Sequence, residues 1–149
     1  MEGDNNTMGS RRQAREAALQ MLYLCDNCGF CPEDSYKSFL QQTKIPPDSQ
    51  EFAEQLFHGT WNRKEVLDTL ITKYAENWEL DRMASIDRNI LRLASFEILD
   101  TPETPVSVII DEAVEIAKKY STADSGKFVN GILDKLKSVR KSGKDASLS

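Results

Sequence analysis

The sequence predicts an all-α protein, a bundle of helices joined by short connections. Apolar residues recur at i, i+3, i+4 intervals along almost every stretch from Ser10 to Leu136. Capping residues, prolines and glycines punctuate that pattern where helices should start and stop. No alternating apolar–polar run is long enough for a strand, and no internal repeat is present. With 149 residues the chain suits one domain, and it can bury roughly 68–70% of its unfolded surface without disulfide staples.

The elements follow in order. Residues 1–9 are polar and featureless, as is the chain from 142 to 149, and both are expected to be disordered tails around a single helical domain over 10–141. Ser10 and Gln13 have capping-box spacing ahead of Ala14, Ala17, Ala18, Met21, Leu22 and Cys25 on one stripe. Pro32 opens a second helix carrying Tyr36, Phe39 and Leu40, which Pro46 and Pro47 stop. Asp48 with Glu51 caps a third, with Phe52, Leu56 and Phe57 inward; Asn62 with Glu65 caps a fourth, with Leu67, Leu70, Ile71, Tyr74 and Trp78 inward. A fifth runs from near Asp81 or Arg82 to Leu99. Thr104-Pro105 opens a sixth over Val106, Ile109, Ile110, Ala113, Ile116, Ala117 and Tyr120. A seventh follows Asp124, with Val129, Ile132, Leu133 and Leu136 inward.

Composition excludes several classes. No stretch approaches the roughly 18 apolar residues of a membrane span, and the N-terminus lacks a signal-type run, so the chain is expected in the cytoplasm. Three cysteines do not close a disulfide framework. Cys25, Cys28 and Cys31 resemble part of an iron–sulfur ligand run, but a fourth cysteine is missing. Zinc would have to recruit the lone His58, while Cys25 continues an apolar stripe, so three free thiols and no metal are expected. There is no phosphate-binding glycine loop, no metalloprotease helix and no nucleophile placed beside the histidine in sequence; the chain is read as a non-enzyme without cofactor.

The net charge of -5 conceals a division. Residues 118–149 hold eight Lys/Arg against three Asp/Glu, and residues 10–24 hold three arginines against Glu16. Residues 25–117 carry eight Lys/Arg against eighteen Asp/Glu. Basic ends and an acidic middle suit a protein with two different partners. Arg11, Arg12 and Arg15 crowd what should be the first turn of a helix, where cations lose roughly 0.3–1 kcal/mol. Beside unpaired backbone N–H groups they make an anion site for a phosphate backbone; the plainer alternative is a solvated basic turn. On the last helix, Phe128 falls about 100° and Lys127 about 160° from Val129, so both lean outward. An outward aromatic beside a lysine can stack a base, although packing on a neighbouring helix is the simpler role. Gly131 in the same helix implies close approach by another backbone. On the fifth helix Asp87 and Glu97 fall inside the apolar arc, where each needs an internal donor, a helix-end role or, for Asp87, an interface.

From Ser10 to Leu136 the chain resembles the NusB family. The resemblance is carried by Arg11-Arg12-x-Ala14-Arg15-Glu16 with Leu22-Tyr23, and by Trp78 followed by Arg82 and Ile86-Asp87-Arg88-x-Ile90-Leu91-Arg92. It continues in Glu112-Ala113-Val114-Glu115-Ile116-Ala117-Lys118 and, most specifically, Asp124-Ser125-Gly126-Lys127-Phe128-Val129-Asn130-Gly131-Ile132-Leu133. The resemblance implies a seven-helix fold of two small packed helical subdomains and a bacterial, non-enzymatic role in transcription antitermination. It implies binding of boxA, a short single-stranded element of nascent ribosomal RNA, as a heterodimer with the ribosomal protein NusE, in an elongation complex with other Nus factors. Carried over by position, Arg11, Arg12, Arg15, Tyr23, Lys127 and Phe128 face RNA, and Asp87 and Asp124 face the protein partner. The same fold also forms the N-terminal domain of some RNA cytosine methyltransferases; their catalytic domain is not expected here. A helical adaptor that touches no RNA is the remaining alternative.

Overall fold

The computed structural model describes residues 2–29, 32–42, 45–76 and 78–140. The expectations for Cys31, for the Tyr36 side chain and for the tail over 142–149 lie outside the described residues. Within them the chain forms seven α-helices and no strand: α1 (Glu2–Cys28), α2 (Pro32–Gln42), α3 (Pro47–Asn62), α4 (Lys64–Tyr74), α5 (Ser85–Asp100), α6 (Val106–Tyr120) and α7 (Ala123–Leu136), with a 3-10 turn at Leu80–Arg82. They fall into two compact units, Met1–Asn62 and Arg63–Ser149.

In the first unit α1 packs on α3 and α2, and α2 packs on α3. Ala14, Ala17 and Ala18 are buried on α1, so two helix backbones can lie close over the buried Ala53, Leu56 and Phe57 of α3. Pro47 stands at the first position of α3, where its missing N–H has no partner to lose. The start of α1 departs from expectation. The helix runs from Glu2, so Ser10 lies inside it. A capping box is a local signal, and it has no cap to form once the turn before it is already helical.

The second unit is built around α5, which touches α4, α6 and α7. Every residue from Asn89 to Ser95 is buried, together with Asp87, Glu97 and Ile98. Its polar side chains therefore select its neighbours. Arg92 donates from Nε to Asp68 Oδ1 at 2.7 Å and from Nη2 to Asp68 Oδ2 at 3.0 Å, tying α4 on, and from Nη1 to Asn89 Oδ1 at 3.0 Å. Arg140 closes the other end of α5. It donates to the carbonyls of Ile98 (2.9 Å), Glu97 (3.0 Å), Thr101 (3.0 Å) and Thr104 (2.6 Å), adding to the local bonds that Glu97 and Thr101 already accept from the Thr101 and Thr104 N–H groups.

Three helix ends differ from the capping pattern in the sequence. Arg63, not Asn62, precedes α4 and makes no side-chain cap; α5 begins only at Ser85, after the 3-10 turn. α7 is capped by Thr122, whose hydroxyl accepts from the Ser125 N–H at 3.0 Å, and Asp124 sits exposed in its first turn. Trp78 is not on α4 at all. That helix ends at Tyr74, and a turn closed by the Trp78 N–H on the Ala75 carbonyl (2.6 Å) leaves the indole 54% exposed.

The close backbone approach expected at Gly131 is not found; the crowded glycine of α7 is Gly126, and side chains crowd it. A Cβ on Gly131 would meet nothing within 4 Å, whereas one on Gly126 would lie 3.1 Å from Lys118 Cγ and 3.5 Å from Val114 Cγ1 on α6. Gly131→Ala should thus recover the full helix propensity of alanine, roughly 0.8–1 kcal/mol of added stability. Gly126→Ala carries the same propensity gain but must push α6 side chains away, so it should be clearly less stabilising or destabilising. Thermal melts of the two variants check the ordering, and equal gains would contradict this packing.

Candidate nucleic-acid interface

Three groups of candidate residues are placed by these helices. The first lies on α1. Arg11 is exposed, Arg12 half-buried and Arg15 only 4% exposed. Arg11 and Arg15 are one helical turn apart, and both lie over the Phe52 ring of α3, with guanidinium carbons 4.6 and 5.5 Å from its centroid. Such contacts contribute about 0.5–2 kcal/mol, more as water is excluded. Because α1 starts at Glu2, the unpaired N–H groups of a helix start are not at Arg11–Arg15. Any anion attraction there comes from the side chains alone. Tyr23 is 38% exposed and lies within about 20° of Arg12 around the helix.

The second group lies on α7. Its core face is Val129, Ile132, Leu133 and Leu136, all buried. Lys127 is exposed and Phe128 half-buried. The Phe128 ring meets Trp78 edge to face, with centroids 5.2 Å apart and planes at 74°. Phe128 thus packs on a neighbour that is itself largely in solvent.

The third group joins the starts of α5 and α7. The Ser125 hydroxyl donates to Asp87 Oδ2 at 3.1 Å. Ser121 lies 2.8 Å from the same hydroxyl, and since Ser125 has one proton, Ser121 is the donor of that pair. Asp87 is 7% exposed, and its Oδ1 has no hydrogen-bond partner. Burial pushes its pKa above the ordinary 3.8, with the Ser125 bond opposing the rise. Asp124, next to Ser125 in the chain, is exposed. Glu97, the other carboxylate placed in the apolar arc, is 2% exposed.

No group of three or more His, Cys, Asp or Glu side chains capable of holding a metal occurs among the described residues, where Cys25 is buried and Cys28 exposed. No helix there is long and apolar enough to cross a membrane.

Residues 12–138 match the NusB family. The chain belongs to that family. It is 44% identical over 141 residues to the transcription antitermination protein NusB of Elusimicrobium minutum (strain Pei191), covering 93% of this chain and 100% of that protein. Among solved structures it resembles T. maritima NusB, with a TM-score of 0.80 and 38% identity over 86% of this chain and 90% of that one. It also resembles the antitermination factors NusB and NusE in complex with dsRNA, at a TM-score of 0.81 and 29% identity over 89% of this chain and 98% of that one. The NusB match takes in every candidate residue except Arg11, which immediately precedes it.

Two residues beside these groups carry signals that sequence reasoning misplaced. Trp78 was in helical register with α4, and only the end of that helix at Tyr74 turns it outward. Phe52 was in register for the core, and only the docking of α1 shows that it supports two arginines.

The Asp87 pKa has a consequence for stability. The folded state holds this proton to higher pH than the unfolded chain does, so stability contributed here is lost as pH rises from about 3.8 through the folded value. Asp87→Asn removes that loss. Its melting temperature relative to the parent chain should therefore rise between about pH 4 and about pH 7. A parent chain that outlasts Asp87→Asn at neutral pH would instead mean that a cation holds the ionised carboxylate.

Proposed function

We propose that this chain is a non-enzymatic, RNA-binding antitermination factor that acts in the cytoplasm on nascent ribosomal RNA. It binds a boxA-type single strand as a heterodimer with a NusE-type ribosomal protein, within an elongation complex that holds other Nus factors, and its functional module is residues 10–141. The observation that carries the RNA- and partner-binding part of this reading is the likeness along 89% of the chain to the antitermination factors NusB and NusE solved in complex with dsRNA. The site chemistry supports it. Arg11 and Arg12 offer charge to phosphates, with Arg15 stacked behind on Phe52 as support, and Tyr23 extends that face of α1. Lys127 beside Phe128 suits an unstacked base and its phosphate better than a closed duplex. Asp87 and Asp124 serve the partner. A buried carboxylate oxygen with no partner gains most from an external donor, and a basic ribosomal protein supplies one.

Labelled boxA-type RNA, single-stranded and as a duplex, tests the reading by fluorescence anisotropy at graded salt, with and without the partner. Replacing Arg11 and Arg12 by glutamine should weaken binding to all sequences and reduce the salt slope by about 0.7 per lost phosphate contact. Phe128→Ala should cost roughly 1–3 kcal/mol with the slope unchanged. Normal RNA binding by Phe128→Ala, together with early melting, would make this residue core.

The partner side has its own measurement. In calorimetric titration with the NusE-type protein, Asp87→Asn and Asp124→Asn should lose affinity while the RNA affinity of the isolated chain stays nearly constant. Full partner affinity in both variants places that interface elsewhere.

A further inference from the structure

Trp78 is the most exposed large aromatic residue in the region around α7, yet it is not loose. Its backbone N–H closes a turn on Ala75, and its indole is held against Phe128 at 5.2 Å and 74°. In such an arrangement the indole keeps at least one open face, whichever ring presents its edge. Trp78 as a whole is 54% exposed. Orienting an exposed aromatic before a ligand arrives removes part of the ordering cost of binding. The surroundings favour a polyanion. Lys127 is exposed next to Phe128, and the carboxylates nearest Trp78 in sequence are matched by cations, Glu76 by Lys135 at 3.5 Å and Glu79 by Arg82 at 3.8 Å. One turn along α7 from Phe128, exposed Gly131 presents bare backbone with nothing within 4 Å of a Cβ position. A planar group lying on the aromatics therefore meets no side chain there.

We propose that Trp78 is itself an RNA-contacting residue. Its indole and the Phe128 ring form a two-aromatic step that takes one unpaired base of single-stranded RNA, with the Lys127 ammonium on the adjoining phosphate. This rests on the RNA-binding reading above and adds a residue to it. A duplex keeps its bases stacked and does not fit the step, so the preference is for single strands.

The test uses the full chain with Trp61→Phe, which leaves Trp78 as the sole indole of the two in the sequence. Titration with a boxA-type single-stranded oligonucleotide should quench Trp78 emission with the same midpoint that anisotropy reports. Trp78→Ala should weaken binding roughly five- to 150-fold, as loss of one base–aromatic stack does, with the salt slope unchanged. Trp78→Phe should retain most of the affinity. If the parent chain binds RNA, and the arginine and Phe128 variants weaken it, but Trp78→Ala binds at parental strength, the inference falls alone. Unquenched Trp78 emission at saturating RNA overturns it too, even if Trp78→Ala melts early and binds poorly. Failure of the parent chain to bind RNA, with or without the partner, removes the underlying reading and this inference together.

Discussion

Helix α5 has almost no solvent side, and it carries five polar side chains into the interior: Asp87, Asn89, Arg92, Ser95 and Glu97. A helix buried in this way cannot leave such groups to water, and two of them, Arg92 and Asp87, are met by side chains of the helices around it. Asp68 brings α4 to Arg92 with two hydrogen bonds, and Ser125 brings the start of α7 to Asp87. Buried ionic pairs of this kind add little net stability over apolar substitutes, but losing one partner is costly. Their effect is to fix which face of α4 and α7 turns inward, and so which face is left for ligands.

The consequence is clearest on α7. Its apolar face is occupied by Val129, Ile132, Leu133 and Leu136, and its first turn is committed through Thr122 and Ser125. Among the residues left outside that face are exposed Lys127, half-buried Phe128 and the bare backbone at Gly131. The helix cannot rotate to bury Phe128 more deeply without breaking the Ser125–Asp87 bond.

Much of this was legible in the sequence. Periodicity of apolar residues located seven helices and most of their buried faces, because that signal reports the averaged environment of many residues. Single-residue signals were less secure. Ser10 has capping chemistry but lies inside α1, since a cap is defined by the turn before it. Trp78 continues the register of α4 although the helix stops at Tyr74 with no glycine or proline to mark the end. Gly126 and Gly131 look alike in sequence, and only the docking of Lys118 and Val114 from α6 distinguishes them. The wheel placed Asp87 in an apolar arc, but its donor lies 38 residues away and belongs to tertiary packing.

The Arg140 contacts bear on how the protein is made. Its four acceptor carbonyls, at Glu97, Ile98, Thr101 and Thr104, precede it by 36 to 43 residues. A growing chain emerges from its N-terminus at about 5–20 residues per second, so these carbonyls are synthesised roughly two to nine seconds before the guanidinium that binds them. During that interval Glu97 and Thr101 can accept from the nearby Thr101 and Thr104 N–H groups, while all four carbonyls lack the guanidinium. The corner between α5 and α6 therefore takes its last hydrogen bonds only after α7 has been made. It is closed from its far end in sequence, by a residue made after the helix that carries Lys127 and Phe128.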